Sequence, residues 1–261
     1  MNERVIVLTG ASGGIGSAIA GQFAHEAEAW HQKHAQNTRL VLSGRRVDKL
    51  NALAVELNSP LVHTEVKTAD TSDPEALRSL IEFAGGFTGK ISSLICNAGS
   101  SAAKPFLELS ADEFENTIRN NLSANFHLSQ AAHPYLRSGG TIVAISSQAA
   151  KYPTPLGAYS ASKAGLSIMM KQLAYEWGGD GIRVNVVSPG MILTELSPSF
   201  RNPELHAQRN SRIPLGQHGT PKQIAEVVSF FAGEQSGYIT GQDILVDGGI
   251  EPALYPLMLG I

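Results

Sequence analysis

The chain of 261 residues carries a single cysteine, Cys96. An intrachain disulfide is therefore impossible, and one chain cannot assemble a cysteine-based metal cluster; both fit a reducing compartment. Charged residues make up only 16% of the chain and the formal net charge is -3, with no basic run to follow a nucleic-acid backbone and no acidic tail. No apolar run approaches the roughly 18 residues that a membrane span needs. The segment 1–4 leads straight into a strand-like stretch, without the basic-then-apolar pattern of a secretion signal. Internal repeats, low-complexity segments and linker-like stretches are also missing. The expectation is one cytoplasmic domain over residues 1–261, with neither membrane nor nucleic acid as partner and no metal site.

What is present is a hydrophobic content of 43%, enough for a substantial core, and 26 glycines. Short apolar runs alternate with helix-like stretches along most of the chain. Strands are predicted over 4–8, 40–43, 61–67, 91–96, 141–146, 183–187 and 243–246. Helices are predicted over 14–34, 47–58, from Asp73 onward with Pro74 at the first position, 111–136, 158–177 and 221–232. Such alternation implies the α/β class: a single-domain, Rossmann-like, doubly wound parallel sheet with helices on both faces. Residues 191–219 form the longest stretch without a strand and carry Pro198, Pro203 and Pro214; they read as a substrate lid or as a plain surface excursion. His25, His31 and His34 sit on one predicted helix and read as a solvated face rather than a metal site.

Between the first strand and the first helix stands Thr9-Gly10-Ala11-Ser12-Gly13-Gly14-Ile15-Gly16. Glycines let backbone approach a pyrophosphate closely, and the following helix N-terminus offers unpaired N–H groups with positive dipole. At the end of the second strand the chain reads Ser43-Gly44-Arg45-Arg46. A carboxylate there would bind a ribose 2′-hydroxyl; two arginines instead suit a 2′-phosphate, which points to NADP(H), with NAD(H) less favoured. Both arginines also suit a solvated helix start. Tyr159 and Lys163 are four residues apart on a predicted helix, hence on one face. A neighbouring ammonium is expected to lower the tyrosine pKa, so that Tyr159 exchanges a proton near neutral pH. Ser146 and Ser147 end the fifth strand, and Asn120 and Asn121 lie inside a helix where Asn is disfavoured and a local distortion is expected.

The glycine spacing T-G-x-x-x-G-x-G, together with Y-x-x-x-K, resembles the classical short-chain dehydrogenase/reductase family, and the motif resemblance runs from Val5 to about Gly249. The closing I-T-G-Q-x-I-x-V-D-G-G is similar to that of 3-oxoacyl-(acyl carrier protein) reductases and their relatives. The resemblance implies a catalytic set of Asn121, Ser147, Tyr159 and Lys163. Strand alignment favours Ser147, whereas counting back 13 residues from Tyr159 gives Ser146. It implies a cofactor site made of Gly10, Ser12, Gly14, Ile15, Gly16, Arg45, Arg46, Asp70, Asn97, Ala98, Gly99, Tyr159, Lys163, Pro189, Gly190, Ile192 and Thr194. Two departures stand out. Gly13 occupies the glycine-turn position where NADP-preferring relatives often carry a basic residue, and Cys96 replaces the first Asn of the family's N-N-A-G turn. Tyr152, Pro153, Met191, Leu196 and Phe200 suggest an apolar substrate, and Lys104, Arg201, Arg209 and Arg212 would suit an acyl-carrier partner. The apolar tail 250–261 is expected to pack against another subunit of a homotetramer. The activity implied is NADP(H)-dependent hydride transfer to or from a carbonyl or secondary alcohol. The alternatives are an NAD-dependent alcohol, sugar or steroid dehydrogenase, and a non-catalytic NADP-binding sensor.

Overall fold

The computed structural model describes residues 3–100, 104–152, 154, 156–195, 197 and 200–253. Seven parallel strands form one sheet in the order β3-β2-β1-β4-β5-β6-β7. They are β1 Glu3–Thr9, β2 Asn37–Ser43, β3 Val62–Val66, β4 Ser93–Cys96, β5 Thr141–Ile145, β6 Arg183–Pro189 and β7 Asp243–Val246. Each matches a predicted strand. β1, β4 and β5 are buried along their whole length, which is why they read as unbroken apolar runs rather than alternating ones.

The helices are α1 Gly14–His25, α2 Ala27–His34, α3 Val47–Leu57, α4 Pro74–Gly85, α5 Ala111–Ile118, α6 Ala124–Leu136, α7 Gly157–Trp177, α8 Pro203–Asn210 and α9 Pro221–Ala232. One face of the sheet carries a core of Val5, Val7, Leu94, Ile142 and Val184 under Leu80, Leu128 and Met170. The other face packs Ile6, Leu8, Leu40, Ile95 and Val143 against Ile19, Phe23, Leu50, Val228 and Phe231. Strand order reverses between β1 and β4, which opens a crevice at their carboxyl ends, where ligands bind in open α/β sheets.

Two predicted helices are each divided. The stretch expected as one helix over 14–34 breaks at Glu26, whose carboxylate accepts hydrogen bonds from Gln22 Nε2 at 2.7 Å and Ser229 Oγ at 2.5 Å. The break turns α2 back over β2 and sets Trp30 4.2 Å from the Arg4 guanidinium. The stretch expected as one helix over 111–136 is interrupted by a π turn, Arg119–Ser123. Of the histidines on the first stretch, His34 stacks on Trp30 at 4.0 Å, and no group of three or more metal-ligating side chains exists among the described residues. No described helix is long and apolar enough to cross a membrane.

The segment 191–219 contains α8 and is closed at its neck. Leu193 N donates to Gly219 O at 2.9 Å, and Gly219 N donates to Met191 O at 3.0 Å. Pro153, Leu196, Pro198 and the tail residues from Leu254 lie outside the described residues.

Candidate active site

The glycine turn is stitched to the end of β4. Thr9 Oγ1 accepts from Asn97 N and Ala98 N, both at 3.1 Å, and donates to Ile95 O at 3.3 Å. Asn97 Nδ2 donates in return to Thr9 O at 3.1 Å and Gly10 O at 3.0 Å. The packing demands the glycines. Gly10 has φ +66°, and a Cβ there would stand 2.8 Å from Asn97 Nδ2; one on Gly16 would stand 2.2 Å from Gly10 O. Thr9 is absent from the residues singled out on sequence, although it holds the two turns together; its place at the head of the glycine motif was the available signal.

Gly13 precedes α1 and Arg46 precedes α3, and neither supplies a side-chain cap. Both starts leave backbone N–H groups for a bound anion. Thr194 covers Gly14: a Cβ built on Gly14 would lie 3.2 Å from Thr194 Cγ2. At the end of β2, Gly44 lies against Ser12, and Arg46 donates to the Ser12 carbonyl and, at 3.4 Å, to Ser12 Oγ. Arg45 is exposed, and its charge reaches Asp70. The Asp70 carboxyl is held below its ordinary value by the backbone and side-chain hydrogen bonds of Ser72, and then by Arg45. Lys49 of α3 pairs with Glu195 at 3.4 Å, linking the strap after β6 to α3.

The turn formed by Asn97, Ala98 and Gly99 leads to the second half of the site. A Cβ on Gly99 would lie 3.2 Å from Asn121 Oδ1 and 3.4 Å from Lys163 Nζ. Asn121 sits in the π turn, fully buried. Its amide donates to Ser100 O at 2.8 Å and Ser162 Oγ at 2.9 Å, while its Oδ1 accepts from Ser100 N at 2.8 Å. Its main-chain carbonyl accepts from Asn125 Nδ2 at 2.7 Å. Asn120 points elsewhere, to Ser100 Oγ and Thr71 Oγ1.

Lys163 is 3% exposed and donates to Ile145 O at 2.6 Å. Burial pulls its pKa down to about 8. The same burial pushes the Cys96 thiol up to about 12, so the cysteine is an inert neighbour of the lysine. Ser147 lies near enough to the Tyr159 hydroxyl to favour its ionised form. That hydroxyl is held above the ordinary tyrosine value, because burial outweighs the lowering contributed by Ser147. That corrects the expectation of a tyrosine lowered by its lysine: burial dominates, and Lys163 Nζ stands 5.6 Å from the Tyr159 ring centroid with one of its three donors on Ile145 O.

The two serines separate cleanly. Ser146 is buried, donating to Lys163 O at 3.0 Å and accepting from Ser167 Oγ at 3.0 Å. Ser147 accepts the Ala149 N–H at 3.1 Å, and with that lone pair filled its own proton is free for Tyr159 or a ligand oxygen. Pro189 ends β6 and Gly190 follows it beside this turn. A Cβ on Gly190 would lie 2.6 Å from Asp247 Cα, so the turn tolerates only glycine there. Ile192 pairs with Gly219 at the neck of the strap. The structure thus groups Gly10, Ser12, Gly14, Gly16, Arg45, Arg46 and Asp70 at one end of the crevice and Asn121, Ser147, Tyr159 and Lys163 at the other, with Asn97, Ala98 and Gly99 between them.

Comparison with known proteins places the chain among similar ones. The family profile described as Enoyl-(Acyl carrier protein) reductase matches residues 10–251. A tropinone reductase homolog from Arabidopsis thaliana is 34% identical over 254 residues, covering 96% of this chain and 92% of that protein. A 3-oxoacyl-[acyl-carrier-protein] reductase from Rickettsia bellii is 35% identical over 253 residues, covering 96% and 98%. The structure of a 7α-hydroxysteroid dehydrogenase complexed with NADH and 7-oxo glycochenodeoxycholic acid superposes with a TM-score of 0.85 at 29% identity, covering 95% of this chain and 94% of that one.

Proposed function

The chain belongs to the short-chain dehydrogenase/reductase family of oxidoreductases, and from that premise we propose that it is a cytoplasmic NADP(H)-dependent enzyme moving a hydride between nicotinamide and a carbonyl or secondary alcohol. The observation that carries this reading is the grouping of Ser147 beside Tyr159, with Lys163 and Asn121 against Gly99, at one end of a crevice whose other end is an uncapped, glycine-lined helix start. The residues fit a dinucleotide: open backbone N–H groups for the pyrophosphate, and two arginines with no carboxylate at Gly44 for a 2′-phosphate.

When bound, the nicotinamide supplies or accepts the hydride. Around it the chain does the rest. Ser147 donates a hydrogen bond to the substrate oxygen as negative charge develops, and Tyr159 delivers its proton to that oxygen, giving the alcohol. Lys163 orients the cofactor ribose, and Asn121 fixes the π turn beside it. A tyrosine held above its ordinary pKa is protonated at neutral pH, which suits carbonyl reduction there, with alcohol oxidation gaining as pH rises. Ile192 and Thr194 orient the carboxamide, and the strap 191–219 acts as a lid pivoting on its hydrogen-bonded neck. The substrate is an apolar carbonyl compound, supported by Tyr152, Met191 and Phe200. Of the four cations suggested for an acyl carrier, Lys104 is already paired with Glu113 at 2.5 Å, which weakens that option.

The cofactor assignment is tested by fluorescence titration with NADPH and NADH, using wild type and Arg45→Ala. NADPH is expected to bind more tightly, and the substitution to cost about 1–3 kcal/mol toward NADPH alone. Equal loss toward both nucleotides, or none, counts against a 2′-phosphate at Arg45.

A further inference from the structure

The catalytic serine sits on a short 3₁₀ turn, Gln148–Ala150, whose start and finish are both tied down. At its start Ser147 Oγ accepts from Ala149 N at 3.1 Å, and Ser147 O accepts from Ala150 N at 3.0 Å. At its finish Lys151 N donates to Gln148 O at 2.9 Å, and the Lys151 side chain turns down onto the sheet. There Lys151 Nζ lies 3.0 Å from Asp243 Oδ2, close enough for an ion pair although not aligned as a hydrogen bond. The Asp243 side chain is 1% exposed, and its other oxygen accepts from Ser188 Oγ at 2.6 Å. A carboxylate this deeply buried on β7 is costly unless a cation offsets it, and Lys151 is the cation that reaches it.

We propose that Lys151 and Asp243 are positioning residues for the reaction: the buried carboxylate anchors Lys151, and Lys151 fixes the turn that aims Ser147 at the substrate oxygen. Only the three-residue turn separates anchor from serine, so a displacement at Lys151 passes directly to the Ala149 N–H that orients Ser147 Oγ. Ser188 ties the same carboxylate to β6, which ends in Pro189 before Gly190, so both walls of the substrate end share one anchor. The catalytic half of this inference rests on the oxidoreductase reading above; the structural half does not.

Two readouts keep them distinguishable. Hydrogen exchange is followed at the amides of residues 149–151 in wild type, Lys151→Met, Lys151→Arg and Asp243→Asn, the last keeping the bond from Ser188 while removing the charge. Reduction of acetoacetyl-coenzyme A and of cyclohexanone is measured in parallel with NADPH. The expected result is faster exchange at 149–151 in Lys151→Met and Asp243→Asn, with exchange in β5 unchanged. Their kcat falls about 10- to 100-fold, as for a misplaced catalytic group, at an unaltered KM for NADPH, and Lys151→Arg restores both readouts. Unchanged exchange in the two variants overturns the anchor. Faster exchange with unchanged kcat, or a rise in the NADPH KM that accounts for the loss, overturns the positioning of Ser147. A wild type that reduces neither probe counts against the activity assigned above, while the exchange result still decides the anchor.

Discussion

A single residue type can do opposite work one position apart. Ser146 and Ser147 both follow β5, yet Ser147 lies near the Tyr159 hydroxyl, whereas Ser146 ties the Lys163 carbonyl to Ser167. Ser147→Ala is therefore expected to lower kcat by about 10²- to 10³-fold, the usual loss of one oxyanion donor, with stability retained. Ser146→Ala is expected to cost about 1 kcal/mol of stability and little turnover; steady-state kinetics beside urea unfolding separates the two. Lys163 supplies a second contrast. Its folded pKa of about 8 lies below the ordinary lysine value of 10.5, so between these two pH values the unfolded chain binds more protons and stability rises with pH. Below about pH 8 the full penalty of burying the charge is present. Lys163→Met should thus be inactive yet more stable at pH 7 by about 1–3 kcal/mol, with the difference vanishing toward pH 10.5. Urea denaturation at pH 7 and pH 10 tests this; a variant less stable at both contradicts the burial argument.

Elements were readable where one physical signal dominated. Except for β3, whose Val-His-Thr-Glu-Val is not an apolar run, the strands appear where an apolar run ended near a turn residue, and α4 and α9 start where Asp73-Pro74 and Thr220-Pro221 supply a cap and a fixed φ. The two divided helices show what periodicity misses. Apolar spacing passes unbroken through Glu26, because the break is set by its long-range bond to Ser229 in α9. The adjacent asparagines did mark the π turn, since their side chains compete with the helix backbone. The partners that hold Asn121 there, Ser100 and Ser162, were not legible, being distant in sequence or unremarkable in type. The same blindness hid Lys151 and Asp243, 92 positions apart by subtraction of their numbers. The site's glycines, Tyr159 and Lys163 were legible because steric and helical spacing rules are local. The direction of the tyrosine shift was not, because it depends on burial that only the assembled fold creates.

At the scale of the molecule, one surface is unusual. Phe126 on α6 and Ile168 on α7, 44% and 65% exposed, share a face around Gly165 and Met169, and Tyr175, 84% exposed, lies two helical turns beyond Ile168. Large exposed apolar patches mark association sites, so this face is where the homotetramer expected from the family resemblance is tested. Light scattering should give four chains per particle for the wild type and smaller particles for Ile168→Glu. A monomeric wild type would contradict the assembly. The tail beyond Ala253, expected to pack on a neighbouring subunit, lies outside the described residues.

The account turns on Tyr159 as proton donor in hydride transfer within this single crevice. The direct measurement is NADPH-dependent carbonyl reduction across pH by wild type and Tyr159→Phe, with NADPH affinity measured on the same samples. The predicted result is unchanged affinity with kcat lowered about 10²- to 10⁴-fold, the contribution of a positioned acid, and a wild-type reduction rate that falls only as pH rises above the ordinary tyrosine range. A Tyr159→Phe variant that reduces the same carbonyl at the wild-type rate would contradict it.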